Sequence, residues 1–170
     1  RNKNSKTTQL FQLLMFHTED GGISKAAMIE ALYGRVEVEN KNSSLNNTIF
    51  RLRKQLRDIG LPESKYINIQ SGMCCWDENI KVWVDVCEFK RLVEQVRTEK
   101  REGDRLQLWL KIWKIYKGEF LPDMIGENWA AVENVQCRDD YFQVTTQLCQ
   151  WLKNNERYED LHRISHMTAE

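Results

Sequence analysis

Between Asn40 and Arg57 the chain reads Asn-Lys-Asn-Ser-Ser-Leu-Asn-Asn-Thr-Ile-Phe-Arg-Leu-Arg-Lys-Gln-Leu-Arg, with five basic residues and no acid, in a protein of zero formal charge. Leu45, Ile49, Leu52 and Leu56 fall at i, i+4, i+7 and i+11, one apolar stripe at helical period. Asn47, Arg51, Lys54 and Asp58 lie roughly opposite, with Ser43, Ser44 and Phe50 on the flanks. This chemistry suits duplex DNA. An Asn amide can pair bidentately with adenine N6 and N7, and an Arg guanidinium with guanine O6 and N7 or with a phosphate. Asn47 is therefore the best base reader, Arg51 a base or phosphate contact, and Arg53, Lys54 and Arg57 phosphate neutralisers. Ser43 and Ser44 complete the expected DNA-binding set.

Charge is placed rather than abundant. Residues 1–70 hold 11 Lys and Arg against 7 Asp and Glu, and residues 71–170 hold 14 against 18, so +4 faces −4. A neutral total argues against a protein that coats nucleic acid indiscriminately, while one basic helix still supplies local counterion release. Lys6 and Thr7, at the start of a first helix, offer a further phosphate contact of the kind helix N-termini provide.

Other chemistries find little support. The chain contains no G-x-S-x-G, P-loop, H-E-x-x-H or G-x-G-x-x-G motif, so no enzyme and no cofactor is expected, and Asp139-Asp140 belongs to a solvated helix face. Five cysteines, Cys74, Cys75, Cys87, Cys137 and Cys149, include no C-x-x-C pair, and adjacent Cys74 and Cys75 cannot form an ordinary disulfide; free buried or half-buried thiols are expected. His162 and His166 share a helix face but lack a third ligand, so no metal is expected. Trp109, Trp113 and Trp129, with Tyr116 and Phe120, can line an aromatic pocket or fill a core, and core packing is the expectation.

Several elements must position the basic helix. Residues 6–17 read as a helix dense in apolar side chains, followed by the turn Glu19-Asp-Gly-Gly22. Ser24 can cap a second helix over about 25–33, with Ile23 and Met28 at staple positions and Gly34 closing it. An irregular stretch from Arg35 to Asn42 leads to the basic helix, expected from an N-cap at Ser43 or Ser44 to a stop at Gly60, with Pro62 beyond. Tyr66-Ile-Asn-Ile-Gln70 alternates, Ser71-Gly72 turns and Met73-Cys-Cys-Trp76 returns, which makes a hairpin. The order predicts a winged helix-turn-helix over residues 1–80.

The rest predicts a second, all-helical module over residues 81–170. After the short apolar segment Lys81-Val-Trp-Val84, Asp85 and Glu88 resemble a capping box opening a helix to about Glu99 that buries Phe89, Leu92, Val93 and Val96. Beyond a polar linker at 101–104, a helix aligns Leu106, Trp109, Leu110 and Trp113; another runs from about Glu127 to Lys153, and a last one restarts after Asn155 to make an antiparallel pair of tetratricopeptide type. The fold class is thus mainly α, a winged helix followed by a TPR-like domain. An apolar content of 41% supports real cores, yet no run approaches the roughly 18 apolar residues of a membrane span, so a cytoplasmic protein with no membrane partner is expected.

Residues 5–76 resemble the DNA-binding domain of OmpR/PhoB-type response regulators, through Arg51-Leu-Arg-Lys-Gln-Leu56 ahead of the hairpin. Residues 82–170 resemble the bacterial transcriptional activator domain, through Val84-Asp-Val-Cys-Glu-Phe89, Tyr116-Lys-Gly-Glu-Phe-Leu-Pro122 with Trp129, and Arg157-Tyr-Glu-Asp160. Together these resemble the SARP/AfsR family of transcription regulators. The resemblance implies a third helix in the major groove, binding to direct repeats as a homodimer, and a helical module that dimerises or contacts RNA polymerase. Two departures stand out: nothing before Lys6 supplies the small sheet that opens such domains, and Gly72-Met-Cys-Cys75 puts Cys74 where a wing can carry a basic side chain. The alternative is a protein-interaction scaffold with a degenerate winged helix.

Overall fold

Three short polar residues start the first three helices. Ser5 Oγ accepts from the Thr8 amide at 3.2 Å, Ser24 Oγ from Ala27 at 3.1 Å and Asn40 Oδ1 from Ser43 at 2.9 Å. Each satisfies an orphan amide and stabilises its helix by about 1 kcal/mol. They open α1 (Lys6–Phe16), α2 (Lys25–Tyr33) and α3 (Lys41–Asp58) in a computed structural model that describes residues 5–121 and 128–168. The basic helix therefore begins at Lys41, capped by Asn40, and not at Ser43 or Ser44. The reason is local: Asn40 takes the Ser43 amide, while the Ser44 carbonyl accepts the Tyr33 hydroxyl at 3.3 Å. Tyr33 also shares a 2.7 Å hydrogen bond with the Thr48 hydroxyl, which ties α2 to α3 without leaving a buried polar group unmatched.

The apolar stripe of α3 is buried as its spacing predicts, with Leu45, Ile49, Leu52 and Leu56 at most 5% exposed. It packs with Leu10, Leu13 and Leu14 of α1 and Met28 and Leu32 of α2 into one cluster. Burial of each such side chain is worth about 1.5–3 kcal/mol.

A three-stranded antiparallel sheet of order β1-β3-β2 closes this cluster, from β1 (Ile23–Ser24), β2 (Ile67–Gln70) and β3 (Met73–Trp76). Ser71 and Gly72, at φ 49° and 79°, turn the expected hairpin, and Ile67 pairs with Trp76 while Ile69 pairs with Cys74. Two left-handed residues match the strands' twist. The third strand was not foreseen: Ile23 pairs with Cys74 and Ser24 with Met73. Gly22 permits it, because at φ 101° a Cβ there would lie 2.5 Å from the Cys74 carbonyl oxygen.

The chain divides into two compact units, the first holding residues up to Cys87 together with Trp129, the second Glu88 to Leu121 and Ala130 onward. The expected boundary at residue 80 lies inside the first. In the second unit, α4 (Asp85–Thr98) contributes Phe89, Leu92, Val93 and Val96, all at most 6% exposed. The expected capping box does not close, because the Glu88 carboxylate takes the Arg91 guanidinium at 2.7 and 2.8 Å. That pairing holds its carboxyl below the usual range.

Next comes α5 (Glu102–Ile115), which absorbs most of the expected linker because Glu102 and Asp104 suit the positive end of a helix. It buries Leu106, Leu108, Trp109 and Ile112, while Leu110 and Trp113 are only half-buried. Helix α6 (Asn128–Asn154) turns at Glu156, φ 56°, into α7 (Tyr158–Thr168), and Cys149 Sγ meets Ser165 Oγ at 4.0 Å. Pro122 of the activator-like segment and Glu127, the expected helix start, lie outside the described residues. The molecule is mainly helical, and no helix among the described residues is long and apolar enough to cross a membrane.

Candidate nucleic-acid interface

With Leu45, Ile49, Leu52 and Leu56 turned inward, helical geometry fixes what α3 turns outward. At 100° per residue, Ser43, Asn47, Lys54 and Asp58 lie most nearly opposite the buried stripe, with Phe50 and Arg51 about 50° to either side and Arg57 about 20° beyond Phe50. All seven are exposed. Asn46, further round on the Phe50 side, is exposed as well. The N-terminal half thus offers hydroxyl and amide groups that donate and accept, and the C-terminal half offers cations.

Among the described residues no acid pairs with Arg51, Lys54 or Arg57, and only Asp58, at the last turn, brings a negative charge to the helix. Unpaired ammonium and guanidinium groups on one surface make a local positive potential that a phosphate backbone can neutralise.

Arg53 is different. Its Nε donates to the Lys65 carbonyl at 3.0 Å and its Nη2 to the Ile67 carbonyl at 2.5 Å. One residue from Lys54, it lies about 100° around the helix and reaches the hairpin instead of the outward row. Arg53 sets the angle between α3 and β2, and its guanidinium is not one of the outward cations. Ser44 is half-buried, with its carbonyl engaged by Tyr33. The expected set therefore separates into an outward group (Ser43, Asn47, Arg51, Lys54, Arg57) and two packing residues (Ser44, Arg53).

The base of the hairpin is held by polar contacts. Ser64 Oγ donates to Asp77, which also accepts from the Asn79 amide at 3.1 Å and from Asn79 Nδ2 at 2.9 Å. These donors, Ser64 first, hold the Asp77 carboxyl below its ordinary value. Tyr66, fully buried at φ 58°, donates its hydroxyl to the Leu61 carbonyl at 3.2 Å. Cys74 does not occupy a surface position: its thiol is in the core, and burial pushes its pKa up. The tip of the hairpin, Gln70-Ser-Gly-Met73, carries no cation.

Of the other candidates, Thr7 is buried, and Lys6 donates to Gln9 at 3.0 Å with its ammonium over the Tyr33 ring. Tyr116 and Phe120 join Phe89 in a triangle of rings 5.5–5.6 Å apart, and Tyr116 stacks on Tyr141 at 4.3 Å. Trp129 packs edge-on against Phe16, and the Arg105 guanidinium covers Trp109. The aromatic segment around Tyr116 is thus explained by packing. Among the described residues no three His, Cys, Asp or Glu side chains gather as a metal site.

Sequence reasoning ranked Phe50 on a flank and passed over Asn46. Phe50 does lie on a flank of the outward face, and Asn46 lies further round on the same side. No family model matches this chain, and neither a curated protein nor a solved structure does.

Proposed function

We propose that this chain is a sequence-specific DNA-binding transcription regulator of the SARP-like kind, built as a winged helix-turn-helix followed by a TPR-like helical unit. The observation that carries the reading is the outward row of α3, whose polar readers and unpaired cations face away from a fully buried stripe. A helix of this kind fits the major groove, about 12 Å wide, where base edges present a distinct donor and acceptor pattern. Asn47 reads a base edge, Arg51 a base or an adjacent phosphate, and Lys54 and Arg57 neutralise phosphates. Arg53 supports this arrangement by bracing the helix against the hairpin.

The experiment is selection of duplexes from a random pool, followed by binding titrations at several salt concentrations. Asn47→Ala and Arg51→Ala should cost roughly 1–3 kcal/mol on the selected duplex and little on random DNA. Lys54→Ala should weaken both and lower the salt slope by about 1. Equal behaviour of all three variants would remove the base-reading assignment.

A second reading has its own observation. On α6, Val132, Val135 and Phe142 are 69%, 48% and 53% exposed and share one side at helical spacing. A partly apolar row of this kind, interrupted by exposed Asp139, suits protein contact, either as the helical unit of the regulator or, with a degenerate winged helix, as a scaffold. A chain that enriches no duplex yet retains a protein partner through Phe142 would favour the scaffold.

A further inference from the structure

Phe50 sits on the flank of the outward face of α3, between Asn47 and Lys54 along the chain, and 65% of its surface is exposed. It takes no part in the core cluster, and among the described residues its ring meets no other ring or cation. Neither the fold nor helix propensity calls for an aromatic residue there, since a Lys or Glu would form the helix better and keep the face soluble. Its neighbours on this exposed face include two small polar side chains, Ser43 and Asn47, and two cations, Lys54 and Arg57. An apolar group framed by polar readers and phosphate-neutralising charges has a natural counterpart in the major groove. Of the four base edges displayed there, only thymine presents an apolar group, its C5 methyl.

Resting on the DNA-binding reading above, we infer that Phe50 is a specificity-determining residue that packs on a thymine methyl beside the base read by Asn47. The helix rises about 1.5 Å per residue, so Phe50 lies about 4.5 Å along the axis from Asn47. Base pairs are stacked about 3.4 Å apart, which puts the thymine one or two base pairs from the base that Asn47 contacts. A cytosine or a uracil at that position keeps the groove open but leaves the ring against water. The substrate class narrows to duplex DNA carrying a 5-methylpyrimidine next to the Asn47 base.

The test uses the full chain and a duplex selected from a random pool, with each thymine replaced in turn by deoxyuridine, a change that removes only the methyl group. The unmodified protein should lose about fourfold in affinity at one such position per bound copy, the value of one buried methyl. That position should lie one or two base pairs from the base whose replacement no longer matters to Asn47→Ala. Phe50→Ala should bind the thymine duplex more weakly and no longer distinguish thymine from uracil there. An unchanged thermal melting curve checks that this exposed substitution leaves the fold intact. Uracil duplexes all bound like the parent, or a uracil penalty that persists in Phe50→Ala, overturns the inference while leaving DNA binding standing. A pool that shows no enrichment overturns both.

Discussion

Lysine and arginine do different work in the two units of this protein. In the second unit several cations have acids beside them: Lys90 with Glu133 at 2.6 Å, Arg97 with Asp140 at 2.6 Å, Arg101 with Asp104 at 2.6 Å and Arg163 with Asp160 at 2.7 Å. On α3, Arg51, Lys54 and Arg57 have none among the described residues. Exposed ion pairs contribute only about 0–1 kcal/mol each, so the pairs of the second unit do little for stability. What they do is cancel charge. With a screening length of about 8 Å at physiological salt, cancelled charges present almost no field, and the unpaired row of α3 dominates the local potential. The difference teaches that a neutral chain can leave one helix face positive by pairing part of its cations elsewhere.

The largest expected effect follows directly. Replacing Arg51, Lys54 and Arg57 together by Ala should lower affinity for DNA by roughly 10²–10³-fold at 0.1 M salt and reduce the salt slope by about 3. The matched triple in the second unit, Lys90, Arg97 and Arg163 to Ala, should change affinity less than about twofold, because those charges are already compensated. Anisotropy titrations at four or five salt concentrations separate the two outcomes. Equal losses from both triples would erase the contrast, since total charge rather than its placement would then govern binding.

Arg53 sharpens the comparison because it is a cation of α3 that behaves as a structural group. Its acceptors are backbone carbonyls of Lys65 and Ile67, which lose a charged donor when it is truncated. Arg53→Ala should therefore destabilise the first unit by about 2 kcal/mol. Arg53→Lys should recover less than half, since a compact ammonium cannot span two carbonyls as a guanidinium does. Urea denaturation followed by the hairpin's Trp76 reads the effect, and the salt slope for DNA should stay unchanged.

Which parts of this were legible in the sequence depended on the range of the deciding interaction. Periodicity located the buried quartets of α3 and α4, and Ser71-Gly72 located the hairpin, because both follow from backbone geometry within a few residues. The N-cap of α3 was misread because Ser43, Ser44 and Asn40 all have capping side chains; Tyr33, in a different helix, fixes Ser44 in the first turn. Arg53 looked like its neighbours Arg51 and Lys54, and only its contact with residues 12 and 14 positions along distinguishes it. Strand β1 is two residues long, too short for alternation to register, and Ile23 had already been accounted for as a staple. Leu108 and Ile112 displaced Leu110 and Trp113 from the core of α5 because Leu, Ile and Trp are nearly equivalent in a wheel until neighbouring helices choose a side.

The smallest effect tests whether the contrast between the units stops at their surfaces. Both cores hold a buried thiol, Cys74 in the first and Cys137 in the second, and burial raises each pKa, that of Cys137 to about 11 from 9.0. A raised folded-state value means that the native form keeps its proton while the unfolded chain loses it. Stability is therefore full below pH 9.0 and falls as pH rises from 9.0 toward about 11, by at most one proton per thiol. Denaturation at pH 8 and pH 10 should show this decline, and Cys137→Ala should reduce the linkage by less than one proton while costing some packing. Thiol labelling at pH 8 should modify half-buried Cys75 and Cys149 before buried Cys74, Cys87 and Cys137. If only one of Cys74 and Cys137 labelled at the rate of Cys149, its core would be open to solvent, and the two units would differ in packing as well as in surface charge.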